Sequence, residues 1–391
     1  MYAVSNTWAK AQENFLAPEG LIEISCYIPA LKRTLVYTKR DLLSFTHQQT
    51  GSLVSGELPK NHIEFSLDNS DGKWNPHNPD GMGKYLSERL KVFVRYGFKI
   101  DGVEEWIPGG TFYLSEWSTT QNGLEASFKA RDLLEYMIDK SYTGEIAGRT
   151  LSGLALAAFN EADLPDELYV SAMVLGDSQL GVSSLSMPLA IFDISNELNG
   201  FTVGEIENTD EDSIAVIFQK CANAARCVLY QDRGGTFRIR KLNYADSKYT
   251  IPKKLSYSYP EISLKRPLKN VSVTYYGDAV KLYNVGDSGE VQTLNNDFIR
   301  TEAQATDSAR WICDSLRHRQ QITGEFRGDP RFDLFDVVNI ESKYGTIKGV
   351  VLTDIKISFN GAFRVSYSGY VRGLGVPAVI RCGEILTGEV V

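Results

Sequence analysis

Asn61-His62-Ile63-Glu64-Phe65-Ser66-Leu67-Asp68-Asn69 opens a stretch, ending at Asp132, in which apolar and polar residues alternate. A polar loop follows, Ser70-Asp71-Gly72-Lys73-Trp74-Asn75-Pro76. Three further runs are Leu90-Lys91-Val92-Phe93-Val94-Arg95-Tyr96-Gly97, Gly109-Gly110-Thr111-Phe112-Tyr113-Leu114 and Leu124-Glu125-Ala126-Ser127-Phe128-Lys129-Ala130-Arg131-Asp132. A period of two puts one face of each run on a core and the other in water, so each reads as a half-buried antiparallel strand. Gly, Asn, Asp and Pro in the intervening segments supply the turns. No nucleophile or base is placed in these strands, which points to a barrel or sandwich that works through its surface.

Outward from this block, Leu21-Ile22-Glu23-Ile24-Ser25-Cys26-Tyr27-Ile28 and Thr34-Leu35-Val36-Tyr37-Thr38 read as strands, and residues 41–54 as loop-like. Residues 131–138 shift to a period near 3.6, a short helix. Between about 140 and 225 the texture becomes helical. Residues 151–159 form an amphipathic helix behind a Thr150 cap, and residues 212–222 form a second, running to Arg226. Cys227-Val228-Leu229-Tyr230, the turn Asp232-Arg233-Gly234-Gly235 and Thr236-Phe237-Arg238-Ile239-Arg240 complete a small α+β module. Strands return from Tyr257 (notably 268–276), a helix spans 301–320, and a closing ribbon turns at Asn360-Gly361, as the first block turns at Asn122-Gly123. The fold class expected is mainly β with an α+β insert: two tube-like antiparallel β-barrel domains, related by duplication, plus a small helix-containing domain. The boundaries are 1–140 for the first barrel, 141–256 for the insert, 257–372 for the second barrel and 373–391 for a C-terminal connecting segment.

Length and composition agree with this. The 391 residues suffice for several domains, and 43% hydrophobic and 23% charged residues describe an ordinary globular chain. A net charge of −8 argues against nonspecific nucleic-acid binding, which needs a basic face. No apolar run approaches the roughly 20 residues that span a bilayer, and Met1-Tyr2-Ala3-Val4-Ser5 lacks the pattern of a secretory signal, so no membrane anchor is expected. Cys26, Cys221, Cys227, Cys313 and Cys382 are scattered and odd in number, and read as reduced, buried small hydrophobes of a protein made in a cytosol. Most of the 20 Tyr and 18 Phe are expected to pack within sheets.

Catalytic chemistry finds little support. His47, His62, His77 and His318 are the histidines, and no Gly-x-Ser-x-Gly, His-Glu-x-x-His or Cys–His motif accompanies them. Glu104-Glu105-Trp106 and Glu116-Trp117 set acids beside Trp as a sugar site does, but adjacency alone carries no geometry, and the reading taken is an exposed turn and a strand with its Trp packed inward. Asp68-Asn69-Ser70-Asp71-Gly72 with Asn75 and Asp80 is rich in oxygen ligands, yet lacks the spacing of a twelve-residue calcium loop; Asx turns account for it. The expectation is no enzyme, no cofactor and no metal.

Phe65-Ser66-Leu67-Asp68-Asn69-Ser70-Asp71-Gly72-Lys73-Trp74-Asn75-Pro76, Val92-Phe93-Val94-Arg95-Tyr96-Gly97 and Gly110-Thr111-Phe112-Tyr113-Leu114-Ser115-Glu116-Trp117 resemble the N-terminal part of bacteriophage tail or baseplate hub proteins. So do Pro267-Leu268-Lys269-Asn270-Val271-Ser272-Val273, Arg327-Gly328-Asp329-Pro330-Arg331-Phe332-Asp333-Leu334-Phe335-Asp336-Val337-Val338 and Ile355-Lys356-Ile357-Ser358-Phe359-Asn360-Gly361-Ala362-Phe363. The resemblance runs from about 60 to 372. It implies a structural virion component of the phage tail, assembled in the host cytoplasm. It also implies a homotrimer whose two barrels per chain imitate a sixfold ring. Such a hub joins a sixfold tail tube, or a distal tail protein ring, to a threefold tip, spike or fibre protein. It also meets the tape measure protein and lets phage DNA pass without specific binding. The chain stops soon after the second barrel, which argues against an attached lytic domain, and residues 373–391 read as a linker. Asp71, Trp74, Asn75, His77, Asp80, Arg327, Asp329 and Arg331 are the candidate inter-subunit or ring contacts. The rival readings are a hexameric distal tail adaptor, a carbohydrate- or receptor-binding module, and a glycosidase.

Overall fold

The computed structural model describes residues 2–13, 18–87, 89–120, 122–162, 192–194, 196–204, 212–242, 249–275, 278–283, 289–316 and 320–371. The connecting segment expected at 373–391, Cys382 and His318 lie outside the described residues.

Alternating runs become strands wherever one face meets a core. The first set comprises β1 (Glu19–Ile28), β2 (Arg33–Thr38), β3 (Leu42–Thr50), β4 (Lys60–Asp68), β5 (Lys91–Ile100), β6 (Val103–Thr119) and β7 (Glu125–Arg131), preceded by helix α1 (Asn6–Glu13). Helix α2 (Leu133–Tyr136) follows, its first turn closed by Asp132, whose carboxylate accepts from the Glu135 N–H. The insert carries α3 (Leu151–Glu161), β8 (Phe192–Ile194), α4 (Ile214–Ala224), β9 (Val228–Gln231) and β10 (Phe237–Arg240). Thr150 and Ser213 cap α3 and α4 in the same way. Beyond it come β11 (Thr250–Ile251), β12 (Glu261–Leu264), β13 (Leu268–Tyr275), β14 (Asp278–Tyr283), β15 (Glu290–Leu294) and α5 (Glu302–Leu316). The chain closes with β16 (Gln320–Arg327), β17 (Val337–Ser342), β18 (Gly345–Phe359) and β19 (Phe363–Val371).

Thirteen strands form one sheet, in the order β12-β16-β19-β18-β3-β4-β7-β6-β5-β1-β2, with β17 added to β18 and β11 to β17. The mainly β class with a helical insert is therefore observed. A closed barrel in each half is not found among the described residues. Instead, β3 pairs with β18, from Phe45 opposite Phe359 to Thr50 opposite Asp354, and fuses the two strand sets into one open sheet. Residues 41–54 were expected to be loop-like, and β3 corrects this. The buried faces of His47 and Gln49 are polar, and so the period of two is hidden in the sequence.

One apolar core lies along the whole sheet, mixing Ile24, Phe45, Ile63 and Phe112 with Phe326, Ile355 and Phe363 from the other end of the chain. The Phe363 ring meets Tyr96 and Phe98 edge-on, each at 5.5 Å. Such contacts hold the two sets together with about 1.5–3 kcal/mol per large side chain fully buried. A second core gathers α3 and α4 with the apolar faces of β13 and α5. Two small sheets, β8-β10-β9 and β14-β13-β15, flank it. Cys26, Cys221 and Cys227 are buried thiols outside any disulfide, but Cys313 is disulfide-bonded. The all-reduced reading is corrected there, since scatter along the chain says nothing about proximity in space.

Candidate assembly surfaces

Each strand set follows one plan. In the first, β4 lies between β3 and β7, and the 17-residue β6 pairs with β5 along its first part and with β7 along its second. In the second, β16 lies between β12 and β19, and the 15-residue β18 pairs with β17 and then β19. Each long strand carries a bulge at the same place, between Leu114 and Glu116 in β6 and between Leu352 and Asp354 in β18. Asn122-Gly123 and Asn360-Gly361 follow, both glycines with positive φ, which a residue without Cβ adopts freely.

The sets differ in what covers their edges. β3 covers the second half of β18, but the corresponding part of β6, residues 116–119, pairs only with β7 among the described residues. β12, which stands where β3 stands, pairs only with β16 among the described residues. Both open edges carry apolar side chains. On β12, Ile262 is 51% and Leu264 66% exposed, with Tyr257 and Tyr259 exposed just before it; on β6, Trp117 is 36% exposed. An edge strand with unpaired N–H and C=O groups and apolar side chains is a template for another strand. Tyr257-Ser258-Tyr259 and Ile262-Ser263-Leu264 each alternate in sequence. Their exposure became legible only once β12 proved to have a single neighbour.

The eight residues proposed from sequence divide by environment. Asp71, His77 and Asp80 are exposed on the 71–84 loop and Asn75 is half-buried there. The loop is built of successive Asx turns: Asp68 Oδ1 accepts from Ser70 N–H, Asp71 Oδ1 from Lys73 N–H, Asn75 Oδ1 from His77 N–H and Asn78 Oδ1 from Asp80 N–H. Trp74 points inward, edge-on to Phe128 at 5.2 Å. Asp329 and Arg331 are buried and paired at 2.7 Å, an ion pair by distance without hydrogen-bond angles. The Asp329 carboxylate accepts from Trp8 Nε1–H at 3.2 Å, and the Arg331 guanidinium stacks over Tyr249 at 4.2 Å. Burial raises the Asp329 pKa while Arg331 holds it down. Arg327 is half-buried in β16, opposite Arg364 of β19. Trp74, Asp329 and Arg331 are thus committed inside the chain, leaving Asp71, His77 and Asp80 as outward-facing groups.

A buried polar node, not foreseen from sequence, lies beside the β3–β18 joint. Gln49 donates to Asp333 Oδ1 at 2.8 Å, and fully buried Arg233 of the insert donates to the Pro330 and Phe332 carbonyls and faces Asp333 at 3.8 Å. The node ties the first set, the insert and the second set together. Nearby, His47 contacts the Tyr96 hydroxyl at 2.9 Å through Nδ1 and Asn61 Oδ1 at 2.7 Å through Nε2. These partners suit a neutral ring with the proton on Nε2. Burial first, then the Arg233 charge, lower its pKa to about 3. Burial raises that of Asp132 to about 8. The acid–Trp pairs serve local structure: Glu104 accepts from Trp106, Glu105 from the Ser5 hydroxyl, and Glu116 faces Lys129 at 3.4 Å.

Comparison with solved structures places this fold among phage tail proteins. The tail protein from Neisseria meningitidis MC58 superposes with a TM-score of 0.57 at 12% identity, over 90% of this chain and 96% of that one. The 43 kDa tail protein of prophage MuSo2 from Shewanella oneidensis gives a TM-score of 0.56 at 10% identity, over 90% and 97%. Prophage tail protein gp18 from Listeria monocytogenes EGD-e gives 0.51 at 13% identity, over 89% and 94%. The likeness is one of fold. No protein-family model matches the chain, and no curated protein matches it in sequence.

Proposed function

We propose that this chain is a structural, non-enzymatic component of a phage-type tail: a hub in which three copies form a ring. The ring joins a sixfold tail tube or distal tail protein to a threefold tip, spike or fibre. It meets the tape measure protein and lines the path of DNA. The observation that carries this reading is the repeated strand plan. A chain holding two equivalent strand sets presents six units when three copies close, so the same surface matches sixfold and threefold neighbours. The tail-protein fold supports it. Three copies would carry −24, three times the −8 of one chain, a balance compatible with a channel to which DNA phosphates do not adhere. On this reading Asp71, His77 and Asp80 face an adjoining ring, and the ring belongs to the virion after assembly in the host cytoplasm.

Light scattering for particle mass, with rotational symmetry from class averages of electron micrographs, tests the proposal. Three chains in a ring with six similar lobes is the expected result. A ring of six chains would instead mark a distal tail adaptor and overturn the hub.

A further inference from the structure

A cavity of about 210 Å3 lies between α1 and the segment from Tyr249 to Leu255. Both of its sides are held in place. Trp8 of α1 is buried, edge-on to Phe98 at 4.8 Å and donating to Asp329. Gln12, one turn further on, is thereby carried on the same side of the helix into the cavity wall. On the other side, the turn Lys253–Leu255 is anchored by Glu341, whose carboxylate accepts from the Lys253 N–H at 2.8 Å. The Tyr249 ring packs against the Arg331 guanidinium at 4.2 Å and the Phe332 ring at 5.1 Å.

Two of the lining side chains are buried donors that the fold does not use. Gln12 is 2% exposed, and its Nε2 has no acceptor. Arg331 is 6% exposed, and among the described residues its guanidinium meets Asp329 at Nε without completing a hydrogen bond. A buried donor without an acceptor costs free energy, and an acceptor on a ligand would remove that cost. Lys254, exposed where the cavity opens, adds an ammonium. These polar groups are donors, and no carboxylate is among the lining residues. Asp329 matches the charge of Arg331, so Lys254 leaves one positive charge in excess. Ala9, Pro252 and Leu255 supply apolar wall.

We propose that this cavity binds a carboxylate carried on a compact apolar body. The carboxylate oxygens accept from Gln12 Nε2, the Arg331 guanidinium and Lys254 Nζ, while the body rests on Ala9, Pro252 and Leu255. A planar guanidinium matches the two oxygens of a carboxylate. One surplus positive charge suits a monoanion. A dianionic phosphate would leave charge uncompensated in a largely buried site and would set nothing against the apolar walls. An apolar cavity of about 150 Å3 holds benzene, so the space here takes a body of that size with its acid group. A free organic acid and the last residue of a peptide chain both present this chemistry. The site lies within one chain, so it stands whether or not three copies form a ring.

Calorimetric titration of the full chain tests it, with benzoate as a free acid and a short peptide ending in leucine as a chain terminus. Benzamide, the same peptide with an amidated end and inorganic phosphate are the controls. The expected result is one carboxylate bound per chain, about tenfold or more tighter than its uncharged counterpart or phosphate. Lys254→Met, at an exposed side chain, should weaken that binding about fivefold or more and leave the melting temperature unchanged. Gln12→Met should weaken it as well, and hold or raise the melting temperature, because it removes a buried donor that the fold does not satisfy. Should Gln12→Met fail to fold, Lys254→Met decides. Binding of benzoate alone would assign the site to a free acid and binding of the peptide alone to a chain terminus; either supports the carboxylate pocket. Phosphate bound as tightly as the carboxylates would mark a general anion site and overturn the proposal. So would the lack of any carboxylate binding, or binding that neither substitution weakens.

Discussion

Asp132 and His47 show what burial does to single ionisable residues beneath a sheet. Asp132 caps α2 with its carboxylate, and burial raises its pKa from 3.8 to about 8. Between those values the folded chain keeps a proton that the unfolded chain has lost, so this residue's contribution to stability falls as pH rises. His47 behaves oppositely. Its pKa is lowered from 6.5 to about 3, so between those values the unfolded chain binds the extra proton and stability falls as pH drops. The two slopes oppose each other from about pH 4 to 6.5, and only Asp132 acts from about 6.5 to 8. Asp132→Asn keeps a capping oxygen and removes the titration. Urea unfolding midpoints at pH 6.5 and 8 should therefore fall in the native chain and stay nearly level in the variant, the difference being of order 1–2 kcal/mol. Equal pH dependence in both would assign the titration elsewhere. The sequence reading passed over both residues, because a lone Asp before a helix and a lone His in a polar run carry no sign of depth.

At the scale of elements, legibility followed chemistry. β4 to β7, the helix behind the Thr150 cap and the Asn-Gly turns were readable because their apolar period, capping oxygen and glycines are local signals. β3 was not, because its core face carries His47 and Gln49, satisfied by Tyr96, Asn61 and Asp333. The 71–84 loop is an intermediate case. Its Asx turns were legible, but the inward Trp74 was expected to reach outward. Its ring fills a space between Tyr37 and Phe128, and Asn69 Oδ1 accepts its backbone N–H at 2.7 Å. Trp74→Ala should therefore destabilise the chain by about 3–5 kcal/mol, the usual cost of emptying an aromatic core site. A thermal melt that shifts by only a degree or two would show the loop to be a detachable surface feature. Close packing of strands gives a second case at Gly369 of β19, where an added Cβ would come within 2.4 Å of the Val351 carbonyl oxygen. Gly369→Ala must push β19 away from β18. The expected result is a loss of about 1–3 kcal/mol, the range for overpacked sites, read from the denaturation midpoint.

At the scale of the whole molecule, the link invisible in sequence is the one between its ends. β3 and β18 are separated by roughly three hundred residues, and neither carries a mark that names the other. Arg233 and Asp333 are equally far from showing their meeting, since each sits in a turn with an ordinary composition. Yet these contacts decide whether the two strand sets are independent. Residues 1–140 include β3 and β6 but lack β18, Phe326, Ile355 and Phe363, so a fragment of that length would leave one edge of β3 unpaired and half of the shared core in water. It is expected to give no cooperative melt and to bind a hydrophobic dye. A cooperative transition in this fragment would show that the sets fold separately and only dock. Arg233→Met probes the same link in the intact chain. The substitution removes the donors to two carbonyls and the charge facing Asp333, leaving a buried carboxylate with less compensation. Breaking one partner of such a buried pair costs about 3–5 kcal/mol. The loss should fall on the joint between the sets, so amide exchange in the Arg233→Met chain should quicken at β3 and β18 before it does in α3 and α4, whose core lies elsewhere. Uniform quickening across both cores would mean that the node stabilises the chain without being the hinge on which its two halves are held.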